Sequence, residues 1–253
     1  MPRGEDVIQR ALRLDPTLAE AHAALGCLHS ARREGREALR SHERAVELRP
    51  SYSAAHKWLC WVRLLVGDPH EARVAGLRAA RLDPLDPEAS GNLAMAHQGC
   101  GDAEQALAEA RRTLKGHAEY DYSRWTEGLV LYHLARDDEA TAVLQQVSEP
   151  WARFWPGTAR ALAAAVSGDE ATAQTILASL AKRSAHFHVG LVHAALGEAD
   201  AAFVALERAG QLAWAETLYL RYPPPDPLDG LREDPRFAQL LFEVDRSWGM
   251  KRG

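Results

Sequence analysis

The sequence of 253 residues has no long apolar run, and this absence argues against a membrane-spanning helix. The longest uninterrupted apolar stretches are about six residues, whereas roughly 20 are needed to cross the hydrocarbon core of a bilayer. The N-terminus, Met-Pro-Arg-Gly-Glu-Asp, has no apolar core of the kind that a secretory signal peptide requires. We therefore predict a cytoplasmic protein with no membrane partner.

Cysteine and basic charge are also scarce. The chain has three cysteines, Cys27, Cys60 and Cys100, and this small, odd number does not form a disulfide framework. A reducing compartment is therefore expected. Lys and Arg total 30 against 35 Asp and Glu, which gives a net charge of −5. No block of basic residues occurs, and a nucleic-acid ligand is therefore not predicted.

The motifs of common catalytic sites are missing as well. His42 and His70 are each followed by glutamate, as in zinc-binding helices, but the second ligand position four residues later holds Val46 or Val74. The chain contains no Gly-x-Ser-x-Gly, phosphate-binding loop or Gly-x-Gly-x-x-Gly. We predict no enzymatic activity, no cofactor and no metal.

What the sequence does contain is an internal repeat of 34 residues. Pro16, Pro50 and Pro84 keep this spacing, and so does a series of alanines, Ala38, Ala72, Ala106 and Ala140. Each period divides into two amphipathic helical halves, such as 19–31 and 35–48, with apolar residues three and four positions apart. A period of this length predicts an all-α solenoid of stacked helix pairs.

The motif within the repeat resembles that of the tetratricopeptide repeat (TPR) family. The first full repeat, about 19–52, reads His22-x2-Leu25-Gly26-x2-His29, then Ala38-x3-His42, then Pro50, where the family has Trp-x2-Leu-Gly-x2-Tyr, Ala-x3-Phe and Pro. The resemblance implies a right-handed superhelix of about six antiparallel helix pairs over 19–210. The register slips after Ala140, and the fifth pair is the least regular.

Single helices are expected at both ends. Residues 1–18 resemble the second half of a repeat, with Val7, Ile8, Ala11 and Leu12 on one face. Such a start suggests a degenerate cap or a chain cut from a longer protein, and the open face could dock on a second copy. Residues 211–253 form the other terminal region.

The C-terminal region resembles the capping tail of bacterial TPR regions. Gln211–Tyr222 could form one helix, and Pro223–Pro227 forces an extended connection. Asp234-Pro235 then begins a last helix, whose Phe237, Leu240 and Leu241 would cover the exposed end of the sixth pair.

Eleven histidines leave two interpretations open. A metal or proton-transfer site would use His186, His188 and His193, the densest group, although residues two apart on a helix point to different faces. The alternative is structural, because many of the histidines replace the aromatic residues of the TPR motif, namely His22, His56 and His186 for Trp, His29, His97 and His193 for Tyr, and His42 for Phe. We favour the structural interpretation.

The resemblance also implies a partner-binding groove on the first helices of the pairs. Its positions correspond here to Lys57, Trp61, Leu64, Met95, Gln98, Tyr122, Trp125, Leu129 and Tyr132. Exposed aromatic residues and methionine commonly anchor protein interfaces. The competing interpretation is that Trp125 and Trp155 are core. Lys57 and Asn92 are the nearest equivalents of residues that grip a peptide carboxylate in some family members.

Three function classes follow. The first is a non-catalytic scaffold that binds a segment of another protein in the groove. The second is a histidine-rich metal-binding protein or enzyme. The third is a self-associating regulatory region cut from a larger signalling protein, with possible homo-oligomers through the N-terminal half repeat.

Overall fold

The computed structural model describes residues 2–148, 153–209, 214–221 and 228–250. Within these ranges the chain is all-α, with 15 α-helices, one 3₁₀ helix and no strand, which confirms the predicted fold class. The helices are α1 (Pro2–Leu14), α2 (Ala19–Ala31), α3 (Gly35–Leu48), α4 (Ser53–Leu65), α5 (Pro69–Leu82), α6 (Pro87–Gly99), α7 (Ala103–Gly116), α8 (Asp121–His133), α9 (Asp137–Leu144), α10 (Trp155–Val166), α11 (Glu170–Lys182), α12 (His186–Ala195), α13 (Ala199–Arg208), α14 (Trp214–Arg221) and α15 (Pro235–Ser247), and the 3₁₀ helix is Asp229–Leu231.

Twelve of these helices form six antiparallel pairs, from α2–α3 to α12–α13. Neighbouring first helices pack directly on each other at α2–α4, α4–α6, α6–α8 and α10–α12, whereas neighbouring second helices have few contacts. The first helices therefore line the inner, concave side of the stack, and the second helices lie on the outer side. The single helix α1 packs against α2.

The turns inside the pairs repeat one backbone conformation at the 34-residue spacing. Gly67 and Gly101 have left-handed φ angles of 84° and 82°, which glycine adopts without steric cost. Arg33 and Ala135 occupy the same position in the first and fourth pairs, with φ of 60° and 54°. A residue with a Cβ is strained there by about 1–2 kcal/mol.

Glycines on three first helices receive a large side chain from the second helix of the same pair. A Cβ on Gly26, Gly128 or Gly190 would come within 2.6, 2.4 or 2.7 Å of the side chain 16 residues later. Those side chains are His42, Leu144 and Leu206, respectively. The glycines of the repeat motif are therefore sockets in which a second helix packs closely on its partner.

The second pair reverses the arrangement of small and large residues. Here Cys60 takes the glycine position on the first helix, and Gly76 stands 16 residues later on the second helix. A Cβ on Gly76 would lie 3.1 Å from the Cys60 Sγ atom. In the first, second, fourth and sixth pairs this contact therefore combines one small and one larger residue, and either helix can carry the small one.

The C-terminal segment 228–250, which we call the clasp, extends from the sixth pair to the first. At its beginning, Arg236 forms an ion pair with Asp200 of α13 at 2.9 Å and lies 4.1 Å from the ring centre of Phe203. At its end, the Gly35 amide donates a hydrogen bond of 2.8 Å to the Trp248 carbonyl. The predicted cap thus reaches much farther than the sixth pair.

The length of α15 indicates how strongly the stack curves. A helix of 13 residues is about 20 Å long. Helix axes pack about 8–10 Å apart, so the first and sixth pairs of a straight stack would lie about 50 Å from each other. Because α15 contacts both, the superhelix curls until its ends approach. The predicted extended connection at 223–227 lies outside the described residues, and so do 211–213 and 222 of the expected preceding helix.

Candidate functional site

The structure divides the nine predicted groove residues into two groups. Lys57, Trp61, Tyr122 and Tyr132 are partly exposed on the inner helices. The other five are buried, which corrects the expectation that they line an open surface: Leu64, Met95, Gln98, Trp125 and Leu129. They are buried because the inner helices pack closely on one another and because the C-terminal helices cover part of the concave side.

Aromatic rings connect the inner helices along the stack. The ring centres of Trp61 and Tyr122 are 6.3 Å apart, and those of Tyr122 and Trp125 are 6.0 Å apart. Trp125 in turn meets Trp155 edge to face at 6.0 Å. Trp125 and Trp155 are both buried, so the interpretation of these two residues as core is the correct one.

Gly91 makes room for one of these rings. A Cβ on Gly91 would lie 2.6 Å from the Tyr122 ring, so the ring rests directly on the backbone of α6. Trp61 and Tyr122 therefore form a ledge that spans α4, α6 and α8, partly open to solvent and supported by the buried rings. We call this pair of partly exposed side chains, Trp61 and Tyr122, the aromatic ledge.

Lys57 lies in an acidic cluster on the same side. Its Nζ atom is 2.9 Å from Asp86 and 2.7 Å from Glu88, and its side chain is 13% exposed. Burial lowers the pKa of Lys57, but the hydrogen bonds to Glu88 and Asp86 outweigh burial and raise it above its ordinary value. Asn92 Nδ2 donates to the Lys57 carbonyl at 3.4 Å. Lys57 and Asn92 thus already have internal partners, which argues against their gripping a peptide carboxylate.

The far end of the aromatic series is covered by α14. Tyr219 packs on Trp155 at 5.1 Å and on Phe187 at 6.1 Å between ring centres. These two rings belong to the inner helices α10 and α12, and α14 also contacts α4. The chain therefore fills part of its own concave side with α14.

The clasp completes this covering with a buried ion pair. Arg221, the last residue of α14, lies against Gly67 in the turn of the second pair, with its Nη1 2.8 Å from the position of a Cβ there. Its guanidinium pairs with Asp245 of α15 at 2.5 Å, and the two side chains are only 5% and 4% exposed. Trp248 is buried one turn later, with the Arg33 guanidinium 5.9 Å from its ring centre.

Most of the histidines that the motif places at aromatic positions have local partners. The Nε2 atoms of His22 and His56 lie 2.9 and 3.0 Å from the carbonyls of the prolines six residues earlier. The Nδ1 atoms of His29 and His193 each lie 2.5 Å from a glutamate five residues later. These contacts repeat with the register of the stack, which supports the structural interpretation.

Two further histidines are fully buried. His42 fills the socket of Gly26, and burial, aided by the charge of His29, lowers its pKa to about 4. His188 lies 2.9 Å from the Thr158 hydroxyl, and burial lowers its pKa to about 3. Both rings are neutral at pH 7 and pack as flat core side chains.

Neither a metal centre nor a membrane span emerges from the described part of the chain. Across 2–148, 153–209, 214–221 and 228–250, no three His, Cys, Asp or Glu side chains come together in a way that could hold a metal ion. In the same ranges, no helix combines the length and the apolar character needed to cross a bilayer.

Solved structures with the same architecture identify the fold. A chain of the APC/C hetero-tetramer Cut9–Hcn1 superposes with a TM-score of 0.66 at 15% identity, covering 96% of this chain and 45% of that one. Pseudomonas aeruginosa PilF gives 0.58 at 18% identity, over 72% and 84%. YrrB, a TPR protein with an unusual peptide-binding site, gives 0.50 at 19%, over 84% and 96%. The fold is a TPR-like α-solenoid.

Sequence comparison gives a more distant signal. Anaphase-promoting complex subunit 3 of Schizosaccharomyces pombe is 26% identical over 186 residues, which are 74% of this chain. The chain spans about a quarter of the length of that curated relative, 26%. No protein-family model matches the sequence. The bacterial origin implied by the C-terminal tail therefore remains a prediction.

The repeat pattern does not predict the residues that tie the TPR-like stack to its C-terminal segment. Arg221, Asp245 and Trp248 lie outside the repeats, so no register predicts their positions. One signal was available, because Phe237, Val244 and Trp248 recur at spacings of seven and four and mark an apolar face longer than a cap on one pair needs.

Proposed function

We propose that this chain is a non-catalytic interaction module that binds a segment of a partner protein on its concave side. The observation that carries the proposal is the aromatic ledge of Trp61 and Tyr122, partly exposed on inner helices and supported from below by buried rings. A rigid aromatic surface loses little side-chain entropy on binding and supplies much of the affinity of protein interfaces.

The electrostatics of the ledge favour a polar or basic flank on the partner. Asp86 and Glu88 outnumber Lys57, so the cluster beside the ledge carries a net negative charge. Burial, followed by the charges of Glu88 and Asp86, raises the pKa of Tyr120, whose ring lies 6.1 Å from that of Tyr122. We therefore expect a peptide whose apolar residues contact the ledge and whose cationic residue approaches Glu88.

A test uses a peptide selected from a displayed random library against the full chain, with affinity measured by fluorescence polarisation. Trp61→Ala should weaken binding about thirtyfold, the loss that follows from about 2 kcal/mol at a central aromatic residue. The matched control is Val74→Ala, at an exposed apolar position on the outer helix α5, which should change affinity less than twofold. Selected peptides that respond to Val74 and ignore Trp61 would move the site to the outer face.

Self-association is a second candidate, favoured by the outer face of α1. Val7 and Leu14 are 67% and 79% exposed there. A second copy of the chain would bury them by docking on the lone helix. Mass measurement across a range of protein concentrations tests this candidate, and Val7→Glu should abolish any dimer that forms through α1.

We place this activity in the cytoplasm. The cysteines of the chain are free thiols, and Cys60 is fully buried. Burial raises the pKa of the Cys27 thiol to about 11, which keeps it protonated and unreactive. Because both are free thiols, an oxidising compartment would not stabilise the chain through them.

A further inference from the structure

We infer that the surface beneath the clasp is a second binding site, made for an amphipathic helix of a partner protein, and that the clasp is its intramolecular occupant. The site lies on the turns of the first two pairs, on α14 and, at the beginning of the clasp, on α13 of the sixth pair. Its expected ligand carries an aromatic residue, an aliphatic–acidic pair seven and eight positions later, and a second aromatic residue three positions beyond the acid. This inference rests on the proposed function, in that it assigns a partner class to the same scaffold.

The ligand pattern follows from the residues that the clasp buries. Phe237, Val244, Asp245 and Trp248 are all buried, at helical spacings that place them on one face of α15. Phe242, on the opposite face, is 49% exposed. The clasp therefore meets the stack as an amphipathic helix meets a groove, through a few anchors along one side.

Charge makes this surface selective. Arg221 is 5% exposed, and its guanidinium is paired with Asp245. If the clasp leaves, Arg221 loses this carboxylate, and a neutral helix in its place would bury an uncompensated cation. Only a helix with an acid at the matching position restores the pair, so the site discriminates among apolar helices by one carboxylate.

The clasp is attached in a way that permits exchange. Helices within the six pairs approach each other closely along their backbones, whereas α15 has no comparable approach to any of them in the described residues. It is held instead by anchor side chains and by the hydrogen bond from the Gly35 amide to Trp248. Segments with few close contacts open locally before the rest of a protein unfolds.

The receiving surface fits one specific backbone path. A Cβ on Gly35 would lie 2.8 Å from the Trp248 carbonyl oxygen and 3.3 Å from the Met250 sulfur. The absence of a side chain at Gly35 thus admits the end of the ligand helix against the turn of the first pair. For the same reason, a side chain introduced at Gly35 would block the site from the scaffold side.

The experiment uses the full chain and, as the probe, a fluorescein-labelled synthetic peptide of residues 228–250. A tethered clasp competes at an effective concentration on the order of millimolar, so the wild type should bind the probe weakly. A full chain with Phe237→Ala and Trp248→Ala cannot seat its own clasp and should bind the probe at least tenfold more tightly. Phe242→Ala, on the exposed face, is the matched control and should behave as the wild type.

Changes in the probe test the ligand pattern. Asp245→Asn and Trp248→Ala in the peptide should each weaken binding to the double variant at least tenfold, and Phe242→Ala should leave it unchanged. Adding Gly35→Leu to the double variant should abolish binding. Equal binding of the probe by wild type and double variant, or no binding by either, would overturn the inference.

If the double variant fails to fold, hydrogen exchange on the wild type tests whether the clasp opens independently of the stack. The amides of α15 should exchange faster than those of α6 and α8, through opening of the clasp alone. Exchange of α15 only with the whole stack would show an integral helix and overturn the inference. In that case, a library-selected peptide whose binding depends on Trp61 would still support the proposed function. Conversely, if the probe binds but no selected peptide depends on Trp61, only the assignment of the ledge as a binding site would be wrong.

Discussion

In the first three pairs, α2 to α7, most buried side chains between helices are small, and no Trp, Tyr or Phe is buried in residues 19–116. In the last three pairs the largest fully buried residues are Trp125, Trp155, Phe187 and Phe203. Small residues allow one spacing between helix axes, and they keep the 34-residue register strict. Aromatic residues fill irregular spaces, and three of these four, Trp155, Phe187 and Phe203, follow Ala140, after which the register slips. Regular repetition and tight cohesion are thus achieved by different side chains in the two halves.

Removal of a central ring from the aromatic half should have the largest effect. Trp155→Ala leaves a cavity next to Trp125, Phe187 and Tyr219, and we expect the free energy of unfolding to fall by about 3–5 kcal/mol. Urea unfolding followed by circular dichroism measures the loss. Trp61→Ala is the comparison within the regular half, and because that ring is partly exposed it should cost clearly less. Equal losses would mean that the two halves do not differ in cohesion.

Acid should weaken both halves through one buried histidine in each. The folded-state pKa values of His42 and His188 are about 4 and about 3, against an ordinary value of 6.5. The unfolded chain therefore takes up a proton at each site below about pH 6.5, whereas the folded chain does not until about pH 4. These two histidines leave the free energy of unfolding unchanged above pH 6.5, and they lower it as the pH falls below that value.

The size of this loss can be isolated for His42. A shift of this size corresponds to about 3 kcal/mol by the time the pH reaches the folded-state value. His42→Leu, which copies Leu144 and Leu206 at the equivalent positions, removes this titrating group. Between pH 6.5 and 4.5, the slope of the unfolding free energy against pH should therefore decrease by the equivalent of one proton taken up on unfolding. His117→Gln, at an exposed position, is the control. An unchanged slope in His42→Leu would contradict the assignment of a buried neutral ring.

Substitutions at a glycine socket should have a smaller effect on stability, and they test whether the two facing side chains share one space. Gly128→Ala places a Cβ into Leu144 and should cost about 1–3 kcal/mol through overpacking. Adding Leu144→Ala, which reproduces the Ala94 and Ala110 combination of the third pair, should cost less than the sum of the single changes. Gly116→Ala, where a Cβ meets nothing within 4 Å, is the matched control and should be neutral or stabilising. Additive losses would mean that the two side chains do not share a socket.

The smallest expected effect concerns the turns. Ala135→Gly relieves a left-handed alanine at φ 54° and should stabilise the chain by about 0.5–1 kcal/mol. Gly101→Ala, at the equivalent turn of the third pair, should destabilise it by about the same amount. Thermal melting of the two variants measures both, and shifts of the same sign would contradict a common backbone conformation.

The repeat register predicted the architecture well because it encodes contacts between neighbours. The sockets at Gly26 and Gly128, the turns and the pairing of helices all repeat at fixed sequence distances, so a period of 34 predicts them. The resemblance to the TPR motif also placed Trp61 and Tyr122 on the inner side. It could not predict that Trp125 and Leu64 are buried, because their environment depends on how closely the inner helices pack and on what else covers the concave side.

Contacts made once in the chain leave no period to detect. Arg221 meets Asp245, and Trp248 meets Gly35, across sequence distances that no local pattern relates. The cap was predicted from its own helix start and apolar spacing, which indicate that α15 exists and which face is buried. They do not indicate how far the helix extends across the stack, since that distance depends on the curvature accumulated over six pairs.

The contact between the clasp and the first pair changes the topology of interactions in the molecule. In an open solenoid each repeat touches only its neighbours, so unfolding can begin at either free end and advance one unit at a time. Here Trp248 and Gly35 join the two ends, and the array of contacts becomes a closed ring. The six pairs then have no terminal pair that can fray, although α1 remains outside the ring, so two interfaces must open before any pair is lost. Seating and release of α15 therefore convert the molecule between cooperative unfolding as one body and stepwise unfolding from its ends.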